Sequence, residues 1–103
     1  MPTLKKEFGG VVFEWDTDKE LINIRQHDVS FEEALSVLLY DDFVQTNEDV
    51  REYDEQRFIT LGMSDLGRLL YVVWTQREVN YRMISARKAN KHEQKGYSNG
   101  QRF

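Results

Sequence analysis

The 103-residue sequence predicts one small α+β domain: a helical hairpin packed on a small antiparallel sheet, in the order β-α-α-β-β-β-α. Three observations carry that reading. Ser30-Phe31-Glu32-Glu33 has the spacing of a capping box, in which the Ser30 hydroxyl accepts from the Glu33 amide and the Glu33 carboxylate reaches back. Phe31, Ala34, Leu35, Leu38 and Leu39 then recur at helical spacing. After residue 56, three β-rich runs are separated by connections of hairpin length, which makes them antiparallel neighbours.

The elements follow in order. Val11-Val12-Phe13-Glu14-Trp15, between Gly9-Gly10 and Asp16, reads as a strand. Asp16 or Thr17 can cap a helix over 18–27, with Leu21, Ile24 and Ile22 as its apolar stripe. The second helix runs from the Ser30 cap to Asp41-Asp42, with Val29 packing on Ala34. A short strand is expected over 43–46, and residues 47–55 read as an acidic loop. Strands follow at 57–62, 69–75 and 79–86, the middle one apolar enough to be central. The closing helix is expected over 87–94, with Gly96 as its stop. One domain over 1–97 and a flexible tail over 98–103 complete the layout.

Composition narrows the function classes. A chain of this length folds to a radius of about 13 Å, and 40% hydrophobic residues suffice for one core. The absence of cysteine excludes disulfides, thiolate metal sites and cysteine nucleophiles. No run approaches the ~20 apolar residues of a membrane span, and the N-terminus lacks the apolar stretch of a signal peptide. The expectation is a cytoplasmic protein without membrane contact. The net charge of −4 hides an asymmetry: residues 1–65 carry six Lys/Arg against sixteen Asp/Glu, residues 66–103 eight against two. Either these are ordinary solvated faces, or a basic patch meets phosphate while an acidic remainder meets a basic partner.

Specific residues then carry a resemblance. Phe13-Glu14-Trp15-Asp16, Lys19, Asn23, His27 and Val29-Ser30-Phe31-Glu32-Glu33-Ala34 form an opening signature. Glu55, Arg57, Phe58-Ile59, Leu61-Gly62, Ser64 and Gly67-Arg68-Leu69-Leu70 follow in order. Arg82-Met83-Ile84-Ser85-Ala86-Arg87-Lys88-Ala89, Glu93 and Tyr97 close the series. Over about residues 11–97 the chain resembles the BrnT family (DUF497). The resemblance implies a RelE-like fold, metal-free ribonuclease activity without a cofactor, and neutralisation by a cognate DNA-binding antitoxin. Gln26-His27-Asp28 departs from the family's Lys-His-Gly. It removes a cation, adds an anion, and requires Asp28 to take a left-handed backbone that glycine takes more readily.

The chemistry sets further expectations. Metal-free RNA cleavage lets the 2′-OH attack its own phosphodiester, which needs a base, an acid and cations for the charged phosphorane. Arginine is the best clamp, being planar, always charged and bidentate. Arg82 and Arg87 are expected at a strand-to-helix junction, with Ser85 between them as a possible cap and helix amides near 86–89 adding anion affinity. Both arginines read equally as surface residues until the resemblance is counted. His27 is the candidate acid or base, or a dipole partner at a helix end; His92 reads as an exposed helix residue. Glu55 and Arg57 share a strand face, so Glu55 can be a base, orient an arginine, or form a surface ion pair. The catalytic candidates are thus His27, Glu55, Arg82 and Arg87. The RNA-binding candidates are Arg25, Arg57, Ser85, Lys88, Lys91 and Tyr97, and none is assigned to a metal. Trp15, Trp74, Phe31 and Tyr71 read as core residues.

The expected partners are RNA as substrate, a ribbon-helix-helix antitoxin, and DNA only through the antitoxin complex. The alternative is a catalytically weakened interaction module that still binds an antitoxin-like partner. A plain DNA-binding domain is disfavoured, since no helix-turn-helix or basic recognition helix is evident.

Overall fold

A computed structural model describes residues 2–49 and 55–100. Its elements are β1 (Thr3–Phe8), β2 (Val11–Asp16), α1 (Thr17–His27), α2 (Phe31–Tyr40), β3 (Gln45–Asp49), β4 (Arg57–Met63), β5 (Leu69–Arg77), β6 (Asn80–Lys88) and α3 (Lys91–Ser98). The α+β class and the order of its central elements are as expected, with an added N-terminal strand. The sheet has six strands in the order β1-β2-β6-β5-β4-β3. Every neighbouring pair is antiparallel except β2 and β6, which run parallel. That one pairing joins the N-terminal hairpin β1–β2 to the antiparallel strands β3–β6. The Cα radius of gyration is 13.1 Å.

Side-chain alternation divides the sheet into two faces. On one, α1 and α2 seal a core of Phe13, Trp15, Val29, Phe31, Ala34, Leu35, Val37, Leu70, Val72, Met83 and Ala86. Gly62 lets α2 approach closely: a Cβ there would stand 2.7 Å from the Val37 and Val44 methyls. α3 packs on the opposite face, where Leu61 and Gly96 are buried.

Several expectations need correction. β1 was hidden because TLKKEF lacks an apolar alternation, its pairing partner being β2 alone. The strand expected over 43–46 lies at Gln45–Asp49, which takes up part of the supposed acidic loop; residues 50–54 lie outside the described residues. Leu21, Ile22 and Ile24 are exposed, and the buried side chain of α1 is Asn23. Asn23 donates to the carbonyls of Val29 and Ala86 at 2.8 Å and accepts from the Ala86 amide at 3.1 Å. A polar bracket, not an apolar stripe, thus ties α1 to β6. The Ser30 hydroxyl does accept from the Glu33 amide (3.0 Å), but Glu33 turns inward to Ser64 and Arg68 instead of closing the box.

The last helix starts later than expected. β6 continues through Arg87 and Lys88, held by pairing with Tyr71 and Leu70. Ser85 lies inside that strand and caps nothing. Asn90 is the cap, in a complete capping box with Glu93. Gly96 sits within α3; the helix ends at Ser98, a turn follows at Asn99 and Gly100, and 101–103 of the expected tail lie outside the described residues. Asp28 caps α1 with φ 57° and ψ 36°, so it adopts the left-handed conformation required of it.

Candidate nucleic-acid interface

The face turned away from α1 and α2 carries the arginines. Cross-strand partners share a face, so the register Arg57↔Thr75↔Arg82 aligns two of them on β4 and β6, with Arg77 two residues from Thr75. Farther along β6, Ser85 and Arg87 lie opposite Val73 and Tyr71 on the same face.

Each arginine is held by a carboxylate. Arg82 donates to Glu14 across the parallel β2–β6 pairing at 2.9 Å, and both side chains are largely buried. Arg87 forms a two-pronged pair with Glu93 of α3, both contacts at 2.9 Å, while its guanidinium lies 3.8 Å from the centre of the Tyr71 ring. The Glu93 hydrogen bonds hold the Arg87 guanidinium even more firmly protonated than usual, against the opposing effect of burial. Burial pushes the Glu93 carboxyl up, but hydrogen bonds from Arg87 and the Asn90 amide outweigh it and leave it below its ordinary range. Glu55 lies 3.7 Å from both Arg57 and Arg77, a looser and more exposed arrangement. Beside Arg87, a groove of about 660 Å³ is lined by Asn47, Asp49, Ile59, Tyr71, His92 and Glu93 among others.

A second charged cluster lies at the C-terminal end of α1. Arg68 binds Glu33 through two nitrogens and donates to the Asp28 carbonyl at 2.8 Å. Lys88 approaches Asp28 at 3.9 Å. Burial raises the Glu33 carboxyl, yet hydrogen bonds from Arg68 and Ser64 bring it below its ordinary value. Lys88, Arg68 and Tyr97 line one further groove of about 470 Å³. The Tyr97 hydroxyl donates to Asp41 at 2.6 Å, and burial together with that carboxylate pushes its pKa up to about 12.

The sequence-derived candidates therefore divide. Glu55, Arg57, Arg82, Ser85 and Arg87 share the open face. Arg25 and His27 are exposed in the last turn of α1, grouped through Asp28 with Lys88, whose side chain leaves β6 opposite to that of Arg87. Lys91 is exposed at the start of α3 and Tyr97 is half-buried at its other end. The charged halves do not occupy separate surfaces: Glu14–Arg82, Glu33–Arg68 and Asp28–Lys88 interleave them. Sequence reading missed the holding roles of Glu14, Glu33, Glu93 and Tyr71. The available signal was that Glu14 and Glu93 already stood among the motif residues without an assigned task.

By fold and site the chain is an α+β domain with one sheet face sealed by helices and the other lined with arginines. A family model, described as the ribonuclease toxin, BrnT, of type II toxin–antitoxin systems, matches residues 15–93, and the chain belongs to that family. The crystal structure of the Brucella abortus ribonuclease toxin BrnT has a similar fold: TM-score 0.51 at 22% identity, covering 75% of this chain and 94% of that one. None of the curated proteins compared with the chain matches it. Among the described residues, no helix is long and apolar enough to cross a membrane.

Proposed function

We propose that this chain is a metal-independent endoribonuclease, the toxin of its pair, which cleaves RNA and thereby inhibits translation. The observation that carries this reading is the gathering of Arg57, Arg82 and Arg87 on one sheet face within a family of ribonuclease toxins. An RNA strand laid along that face meets fixed guanidinium groups. Two Arg87 nitrogens are committed to Glu93, but a guanidinium has five N–H donors, so it can be oriented by a carboxylate and still present donors to phosphate.

The 2′-oxygen attacks phosphorus, the bond to the 5′-oxygen breaks, and a 2′,3′-cyclic phosphate and a 5′-OH result. Glu55 is the candidate to take the 2′-OH proton, being half-exposed on the arginine face, and solvent water returns a proton to the departing 5′-oxygen. Arg82 and Arg87 neutralise the phosphorane. Arg25, Lys88, Lys91 and Tyr97 contact the RNA where it leaves the face, with Ser85 between the two clamping arginines; His27, expected as the acid or base, stands across the sheet from that row and is left in this reading with an RNA contact. Metal independence is what the likeness of the motif residues to the family implies, and the EDTA experiment below tests it.

The antitoxin is a ribbon-helix-helix protein in this reading, and the complex meets DNA through it. A second reading, a weakened module that keeps only antitoxin binding, is favoured by one observation: His27 and the arginine row lie on opposite sides of the sheet. Incubation of the purified chain with a defined RNA in EDTA separates the two. The toxin reading predicts cleavage with cyclic-phosphate ends; intact RNA supports the weakened module, and strict dependence on Mg²⁺ or Mn²⁺ overturns metal independence.

A further inference from the structure

A row of aromatic rings crosses the helix-side face of the sheet, running from the exposed Phe8 through Phe13, at the edge of the sealed core, to the half-buried Tyr81, Trp74 and Phe58. Phe58 stacks on Trp74 with centroids 4.7 Å apart, and Trp74 meets Tyr81 edge-on at 5.2 Å. Tyr81 stacks on Phe13 at 5.5 Å, and Phe13 meets Phe8 edge-on at 6.4 Å. One ring comes from each of β4, β5, β6, β2 and β1. Between this row and Leu38 and Leu39 of α2 runs a groove of about 330 Å³, whose lining, including Val11 and Val44, carries no charged side chain. Tyr40 and Phe43, next in sequence to its lining residues, are 68% and 79% exposed. A contiguous apolar surface of this kind marks an interaction site on a small domain.

We propose that this groove docks an amphipathic helix of the antitoxin, apolar on the face that enters the groove and basic along its flanks. The proposal rests on the toxin reading above and adds the place of contact. Its form is the helix-in-groove mode, with large apolar anchors seated beside the aromatic row. Charge selects the occupant. Asp42 adjoins Phe43, and Glu48 stands opposite Phe58 in the β3–β4 register; both are exposed carboxylates. Single-stranded RNA also stacks on aromatic rows, but its phosphates need a cationic groove; this one has a neutral lining and acidic neighbours, and the lysine beside the row, Lys6 opposite Phe13, is paired with Glu32. A second copy of a chain with net charge −4 brings like charge to like. A basic partner is matched. Because the groove and the arginine row lie on opposite faces, the antitoxin reaches the arginines with a different segment, so docking and inhibition are separable.

The test uses the purified chain and the purified product of the adjoining antitoxin gene. Val11→Asp and Phe43→Asp, both at exposed positions, should each weaken the complex about 100-fold or more while the free chain cleaves RNA at the unaltered rate. Hydrogen exchange of the unsubstituted complex should show new protection in residues 11–13, 38–46 and 72–81, a readout that does not depend on how well the variants fold. Four results overturn the proposal. One is a complex that leaves exchange in those segments unchanged. Another is weakened binding in Leu21→Asp, on the exposed apolar side of α1, in place of the groove variants. A third is reduced binding of polyuridylate by Val11→Asp, which assigns the row to RNA. The last is a chain dimer in light scattering that Val11→Asp dissociates, which assigns it to a second copy. If no complex forms at all, the antitoxin reading falls with the proposal, while RNA cleavage by the chain leaves the ribonuclease reading standing.

Discussion

The two faces of the sheet use the same strands and opposite strategies for charge. On the helix side, two polar groups are enclosed and satisfied: Asn23 brackets Val29 and Ala86, and Glu33 takes Ser64 and Arg68. On the open face, the pairs grade from enclosed to loose, from Glu14–Arg82 at 2.9 Å to Glu55 at 3.7 Å from Arg57 and Arg77. A buried pair broken on one side strands the other charge, whereas an exposed pair is screened by water and worth little. Enclosed groups should therefore report on stability, the loosely paired open-face groups on RNA, and the enclosed Arg82 of the open face on both.

The largest expected effect on stability is at Glu33. Glu33→Gln should cost about 3 kcal/mol in denaturant unfolding, the lower end for a broken buried pair because Arg68 keeps some contact with water. A loss under 1 kcal/mol would remove the distinction between the two faces. Asn23→Ala should follow at about 2 kcal/mol, since it leaves the buried Ala86 amide without its partner. Hydrogen exchange should show the Ala86 amide losing protection first. By contrast, Glu55→Gln should change stability by less than about 1 kcal/mol yet reduce RNA cleavage; the reverse pattern would make Glu55 a structural residue.

pH sharpens the same contrast. Glu33 and Glu93 have lowered folded-state values, so the stability they contribute is present above their ordinary value of 4.5 and is lost as pH falls through the folded value. Tyr97 is raised from 10 to about 12, so its contribution is present below pH 10 and disappears as pH rises toward 12. Melting curves should show the acid loss in the unsubstituted chain, and Tyr97→Phe should abolish the alkaline component alone.

How much of this was legible in the sequence depends on whether the signal was periodic. α2 could be read because Phe31, Ala34, Leu35 and Leu38 recur at helical spacing behind a Ser30 cap that the structure retains. The hairpins β4–β5 and β5–β6 could be read from turn length. β1 could not, because its stability comes from pairing with β2 and not from its own pattern. The start of α3 was misplaced by four residues because Arg87 and Lys88 have good helix propensity, which pairing with β5 overrides. The candidate site was half legible. Residue types and spacing pointed to Arg57, Arg82 and Arg87, but their carboxylate partners lie between 2 and 68 positions away, and only the fold brings the distant ones together.

The arginine row is the centre of the account, and single-turnover cleavage of a defined RNA in EDTA tests it most directly. Arg82→Ala and Arg87→Ala should each slow cleavage about 100-fold or more, with Arg→Lys restoring only part of the rate because the planar two-pronged geometry is lost. Lys88→Ala, one residue along β6 but on the other face, should slow it far less. Cleavage at the unsubstituted rate in both arginine variants, in protein that remains folded, would contradict the account.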